Sequence, residues 1–138
     1  MVDPWHEVVD GLWMGGDDAS PVGRFDHVVS LCAWGEAVCP GPAGQTEWFI
    51  DDGLEVRDRD RIWEVAREVN QRLERGQSVL VRCQMGLNRS GLITGAVLID
   101  RGWPPRQAID HIRARRDELA LCNTTFEAWL LRQDGPGA

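Results

Sequence analysis

The stretch Val79-Leu80-Val81-Arg82-Cys83-Gln84-Met85-Gly86-Leu87-Asn88-Arg89-Ser90-Gly91 constrains this chain more than any other. An apolar, β-branched run stops at a cysteine. A glycine stands three residues on, an arginine six on and a serine directly after the arginine, and an apolar segment follows. Residues 78–82 read as a short buried strand. Leu92, Ile93, Ala96, Val97 and Ile99 predict a helix over 89–100. A strand that feeds a helix through a glycine-bearing turn aims backbone N–H groups at one point, a geometry that holds an anion. Gly86 permits positive φ or a close backbone approach. All 15 cationic residues are Arg, so Cys-x5-Arg spacing arises easily by chance. Its position between strand and helix is what gives it meaning; a buried strand-end cysteine with a surface arginine is the bland alternative.

The rest of the chain predicts one α/β domain over 1–138, with a core over about 5–132 and a frayed tail over 133–138. A chain of 138 residues is the usual size of one domain. His6-Glu7-Val8-Val9 and Leu12-Trp13-Met14 flank Asp10-Gly11, a hairpin turn. His27 to Cys32 reads as a buried strand, 35–45 as a Gly/Pro-bearing loop, and Glu47-Trp48-Phe49-Ile50 as the next strand, ended by Asp51-Asp52-Gly53. Ile62, Val65, Ala66, Val69 and Leu73 share one face of a helix from about Asp58 or Arg59 to Arg75. Asp58 or Asp60 is its expected cap and Gly76 its expected stop. A further helix starts at Pro104-Pro105, with Ala108, Ile109 and Ile112 inward. The last spans 124–132, with Phe126, Trp129 and Leu130 inward.

Strand, helix, strand implies a right-handed parallel crossover from Trp48–Ile50 to Val79–Arg82. Parallel strands end at the same sheet edge. Asp51-Asp52 and Cys83 are therefore expected on one rim, the carboxyl edge where open α/β sheets bind ligands.

Composition narrows the partners. A net charge of −7 disfavours bulk attraction to nucleic acid or anionic membrane. No apolar run approaches the ~20 residues that span a bilayer. The N-terminus lacks the basic and apolar regions of a signal peptide. Cys32, Cys39, Cys83 and Cys122 are irregularly spaced, form no CxxC pair and sit among scattered histidines. Neither a disulfide framework nor a zinc site is expected, and a reducing cytoplasm is.

Cys83, Gly86, Arg89 and Ser90 match the signature His-Cys-x-x-Gly-x-x-Arg-Ser/Thr, and here the chain resembles the small dual-specificity, cysteine-based protein phosphatases. The likeness extends to Val8–Gly16 as the opening hairpin, His27–Cys32 as a core strand, Ile50-Asp51-Asp52 as the general-acid segment and Asn123–Leu130 as the closing helix. The resemblance implies a mostly parallel sheet of about four to five strands flanked by helices, and hydrolysis of phosphate monoesters without cofactor or metal.

In that family's terms Cys83 is the nucleophile, and Arg89 grips two phosphate oxygens. The backbone N–H groups of Gln84, Met85, Gly86, Leu87, Asn88 and Arg89 cradle the others. Asp52 is the general acid, with Asp51 the alternative one residue away. Ser90 assists departure of the sulfur. Asn123 is expected to fix the acid loop. Trp34, which follows a core strand, reads either as lining the pocket mouth or as an ordinary packing residue. Arg82 stands where the family has His. It either donates toward the loop or lies out in solvent, and the second case leaves open a weak phosphate-binding module. Arg113, Arg115 and Arg116 read either as a flank for an anionic substrate or as a solvated helix end.

Cys32 ends a strand expected beside the catalytic one. A branch of the family that acts on lipids has a resolving cysteine in a similar place, so a Cys32–Cys83 redox disulfide is one expectation and a small core residue the other. The expected substrate is a phosphorylated protein and the expected state a monomer. RNA 5′-phosphates, phosphoinositides and phosphoglycans are the alternative substrates for the same loop. A sulfur-transfer domain also uses a cysteine at a strand-to-helix loop, but with a shorter loop and no paired acid.

Overall fold

The computed structural model describes residues 4–21, 23–31, 45–48 and 50–133. Cys32, Trp34 and Cys39, and the expected tail from Asp134 onward, lie outside the described residues. The elements are β1 (Trp5–Val9), β2 (Leu12–Gly15), β3 (His27–Ser30), β4 (Gln45–Glu47), α1 (Arg59–Glu74), β5 (Val79–Arg82), α2 (Arg89–Asp100), α3 (Pro105–Arg115) and α4 (Thr124–Leu131).

The strands form one five-stranded sheet in the order β1-β2-β5-β3-β4. The β1–β2 hairpin is antiparallel, and Gly11 takes φ +82 in its turn. The other pairings are parallel: Leu12 faces Val79, His27 faces Val79, and Val28 faces Gln45. β5 is therefore central, and every residue of it is buried.

The pleat of β5 divides its side chains between two cores, as period 2 demands. Val79 and Val81 join the main core with Leu12, Met14, Val29 and residues of all four helices. Leu80 joins a smaller cluster with Trp5, Phe25 and Val28, where Trp5 meets the Phe25 ring edge-on at 5.2 Å. The helical stripes face inward as their spacing requires. Ile62, Val65, Ala66 and Val69 of α1, Ala108, Ile109 and Ile112 of α3, and Phe126, Trp129 and Leu130 of α4 are all buried.

Two sequence expectations are corrected and one is refined. The strand expected over 47–50 is β4 at Gln45–Glu47. Trp48 N–H still donates to Ser30 O, but Ile50 N–H donates to Leu31 O. The partner offset thus slips by one residue, which ends the regular ladder. The crossover strands are parallel as expected, and β3 lies between them, beside the catalytic strand, also as expected. The shared carboxyl edge follows. Finally, Asp58 occupies the α1 N-cap position at φ 53, ψ 49 with no side-chain cap hydrogen bond. Side-chain capping needs an extended N-cap backbone, and the left-handed conformation turns the carboxylate away. Gly76, at φ +79, does end the helix, donating to Leu73 O.

Candidate active site

β5 delivers Cys83 to the carboxyl edge of the sheet, and α2 starts at Arg89. Between them the chain curls around the sulfur. Cys83 is only 2% exposed. Ser90, in the first turn of α2, supplies two groups beneath the loop: its N–H points at Cys83 Sγ from 3.4 Å and its Oγ lies 3.3 Å from the same sulfur. Both groups can donate to a thiolate, and the helix N-terminus adds its partial positive charge.

Gly86 makes the curl possible. It sits at φ +75, and a Cβ there would lie 2.4 Å from Gly15 C and 2.6 Å from both Gly16 N and Arg116 Nη2. The Gly15-Gly16 pair at the end of β2 is the complementary surface: Cys83 N–H donates to Gly15 O, and Asp17 N–H to Gln84 O.

Arg89, the first residue of α2, carries a guanidinium that is little committed. One Nη is 3.4 Å from Ile50 O, at the weak end of hydrogen bonding, and Nε is buried with no partner among the described residues. A planar fork with free donors suits two oxygens of a phosphate.

Asp52 arrives from the segment after β4. Asn123 donates to its Oδ1 at 2.8 Å and to Gly53 O at 2.9 Å. Asn88 donates to its Oδ2 at 3.3 Å. The Asn123 carbonyl oxygen also accepts from Thr125 and Phe126 N–H, capping α4. One side chain thus joins the acid segment to a helix N-terminus. Asp51 forms no hydrogen bond among the described residues and lines a cleft of about 420 Å3 with Trp48, Ile50 and Leu54. The geometry therefore separates the two aspartates and brings Asp52 to the loop.

Arg82 departs from the solvent-exposed alternative. It is 2% exposed, and its Nε donates to the buried Ser30 Oγ at 3.0 Å. Ser30 is its register partner in β3. The β5 pleat puts Arg82 on the Leu80 side of the sheet, whereas Cys83 belongs to the main core.

The arginines at the end of α3 fold back onto neighbouring backbone, Arg113 and Arg116 part-buried and Arg115 exposed. Arg113 pairs with Glu127 at 2.8 Å and donates to Ala120 O and Leu121 O. Arg115 donates to Glu7 O. Arg116 donates to Gly86 O at 3.2 Å and Met85 O at 3.3 Å, and pairs with His6 Nδ1 at 2.8 Å. In a trans peptide the carbonyl and the next N–H point opposite ways. Arg116 thus holds the carbonyls of Met85 and Gly86, and the N–H groups of Gly86 and Leu87 face away from it. Burial pulls the Arg116 pKa below its ordinary value, while Asp117, Asp18 and Cys83 oppose the shift. Leu121, at φ 61, adds a further strap from its N–H to Leu87 O. Sequence reading recognised the arginine cluster but not its target, some thirty residues away.

Residues 46–134, more than half of the chain, match the family described as dual specificity phosphatase, catalytic domain. The chain belongs to this family. It is accordingly a cysteine-based phosphatase. No curated protein matches the sequence. Solved structures share the fold at low identity. Human DUSP28 is 18% identical over 94% of this chain and 92% of its own, with a TM-score of 0.81. Tk-PTP in the active form is 21% identical over 97% of each chain, with a TM-score of 0.78. PTPMT1 in complex with PI(5)P is 18% identical over 93% of this chain and 97% of its own, with a TM-score of 0.68. In this phosphatase the loop after β5 holds the family's signature residues, with Arg82 in place of the usual His.

Proposed function

We propose that this phosphatase hydrolyses phosphomonoesters on protein substrates through a phosphocysteine formed at Cys83. One observation carries the reading: Cys83 Sγ lies against the Ser90 N–H and hydroxyl at the floor of a loop, with Arg89 and Asp52 held at its rim. The Cys83 thiolate attacks phosphorus in line with the ester oxygen. The S–P bond forms as the P–O bond breaks, and Asp52, protonated at the outset, gives its proton to the leaving oxygen. Water then attacks phosphorus while Asp52 takes back a proton. The S–P bond breaks, and the Ser90 hydroxyl donates to the departing sulfur. Arg89 and the loop N–H groups from Gln84 to Arg89 follow the charge on the transferring phosphoryl oxygens. These donors supply the positive charge that other phosphatases take from metal ions.

A protein substrate is favoured by the mouth of the site. Asp51, Glu55 and Asp58 stand on the acid side, and Asp17 and Asp18 follow the hairpin end that contacts Gln84. Leu54, in the Asp51 cleft, and Met85, in the cysteine loop, are exposed. Carboxylates with apolar side chains suit a peptide around the phosphoresidue better than a polyanion such as RNA or a phosphoinositide. The PI(5)P complex of PTPMT1 makes the lipid the principal competitor. The setting proposed for this phosphatase is a reducing cytoplasm, with the chain working as a monomer.

The test is p-nitrophenyl phosphate turnover in the presence of a chelator, followed by a panel of phosphopeptides, phosphoinositides and RNA 5′-ends. Cys83→Ser is expected to abolish turnover and retain vanadate binding. Residual turnover near wild type by that variant overturns the phosphocysteine, and preference for lipid or RNA over peptide overturns the substrate class.

A further inference from the structure

Asn88 is the N-cap residue of α2, where an asparagine ordinarily turns back to accept from its own helix. It does not: its backbone is helical at φ −97, ψ −59, and its side chain makes no cap hydrogen bond. Instead it spans the gap to two distant segments. Its Nδ2 donates to Asp52 Oδ2 across 36 residues of sequence, and its Oδ1 accepts from Asn123 N–H at 2.8 Å across 35. The Asn123 N–H settles the amide orientation, because only the carbonyl oxygen can face that donor. The amide nitrogen is then obliged to face Asp52. Cys122 Sγ packs on the same amide at 3.5 Å.

Asp52 is consequently held by one oxygen from each side, Oδ1 by Asn123 and Oδ2 by Asn88. A carboxyl held at a single oxygen can still swing about that contact. Two donors on different elements fix its plane. The two donors are not equivalent. Asn123 ties the acid to α4, whereas Asn88 ties it to the cysteine loop, one residue before Arg89.

We propose that the Asn88 side chain is a positioning residue that registers the Asp52 carboxyl to the phosphate cradle, so that proton delivery to the leaving oxygen depends on it. The inference rests on the reading of Asp52 as the acid. It assigns Asn88 a side-chain role separate from the backbone N–H it contributes to the cradle.

The experiment compares turnover of phenyl phosphate, whose leaving oxygen needs a proton, with p-nitrophenyl phosphate, whose leaving oxygen needs little help. Asn88→Ala and Asn88→Asp are each made alone and with Asp52→Asn. Vanadate affinity is measured for every variant. The expected result is a loss on phenyl phosphate that exceeds the loss on p-nitrophenyl phosphate by about tenfold or more, the lower part of the range for general acid–base assistance. In the Asp52→Asn background that differential is expected to vanish. Equal losses on both esters, with vanadate affinity falling in step, would show that Asn88 only shapes the loop and overturn the inference. A differential that persists unchanged with Asp52→Asn also overturns it, while leaving Asp52 as the acid. If Asp52→Asn alone produces no leaving-group dependence, the acid assignment falls, and the inference with it.

Discussion

Replacing Arg116 by Met removes its contacts to Gly86 O, Met85 O and His6 Nδ1 while keeping an unbranched side chain. The two contacts to Gly86 O and Met85 O are 3.2 and 3.3 Å long and come from a half-buried guanidinium. Hydrogen bonds to charged groups are worth about 1.5–3 kcal/mol each. Length and partial exposure bring each of these nearer ~1 kcal/mol, for a combined loss of about 2 kcal/mol in holding the two peptide planes. If that loss appears wholly in the transition state, kcat/KM falls roughly 30-fold, since about 1.4 kcal/mol is tenfold. Part of it will appear as lost stability instead, so the expected fall is about 10- to 30-fold, with a Tm lower by a few degrees. Vanadate affinity should fall in parallel, because the same N–H groups bind both. Arg116→Lys, which can reach one carbonyl but not grip both, should lie between. The assays are steady-state kinetics with p-nitrophenyl phosphate, vanadate inhibition and thermal melting. Wild-type kcat/KM and vanadate affinity in Arg116→Met, with only Tm lowered, would refute the claim that Arg116 organises the cradle.

Other consequences are as direct. Ser90→Ala keeps the backbone donor to Cys83 but removes the hydroxyl. Stopped-flow measurement should show a burst of product with slower steady turnover; equal slowing of both phases would count against a role in breakdown of the intermediate. Gly86→Ala meets backbone within 2.6 Å at φ +75. Left-handed strain alone costs about 1–2 kcal/mol, so loss of vanadate binding is expected in calorimetry even where circular dichroism shows a folded domain. His27 is buried, and its pKa is lowered by burial first, then by Arg72, with Glu68 opposing. The unfolded chain takes up a proton near the ordinary value of 6.5, before the folded one does, so stability is lost as pH falls below that point. Melts from pH 7 to 5 should show a decline that His27→Gln reduces; an identical decline in that variant would exclude His27 as its source.

Much of this could be read from local pattern. The strand into Cys83 announces itself as a short continuous apolar run and the helix out of it through apolar spacing near 3.6, and a parallel crossover carries Asp52 to the same rim without any contact being known. What could not be read depends on partners far off in sequence. The destination of Arg82 is settled by Ser30, a register neighbour 52 residues away. The function of Arg116 is settled by two carbonyls of the cysteine loop, which no residue pattern in α3 announces. Asn88 and Asp58 both stand at N-cap positions, where local chemistry favours a self-cap. Tertiary demand takes the Asn88 side chain elsewhere, and a left-handed backbone denies Asp58 the reach. Cys32, read either as a redox partner of Cys83 or as a small core residue, and Trp34 fall outside the described residues.

The order β1-β2-β5-β3-β4 puts the two halves of the chemistry on parts of the sheet with unequal resistance to opening. β5 is covered on both flanks, so its amides can exchange with solvent only when β2 or β3 leaves, an event close to global unfolding. β4 is three residues long, lies at the edge, and has a single neighbour. Beyond it the acid segment is held to the cysteine loop and α4 by asparagine side chains. Under rising urea the acid arm should therefore come loose while the cysteine strand stays paired. The molecule would pass through a condition in which it still captures oxyanions but has lost proton delivery. Hydrogen exchange would mark that condition by protected amides at Val79–Arg82 beside fast ones at Asp51–Gly53.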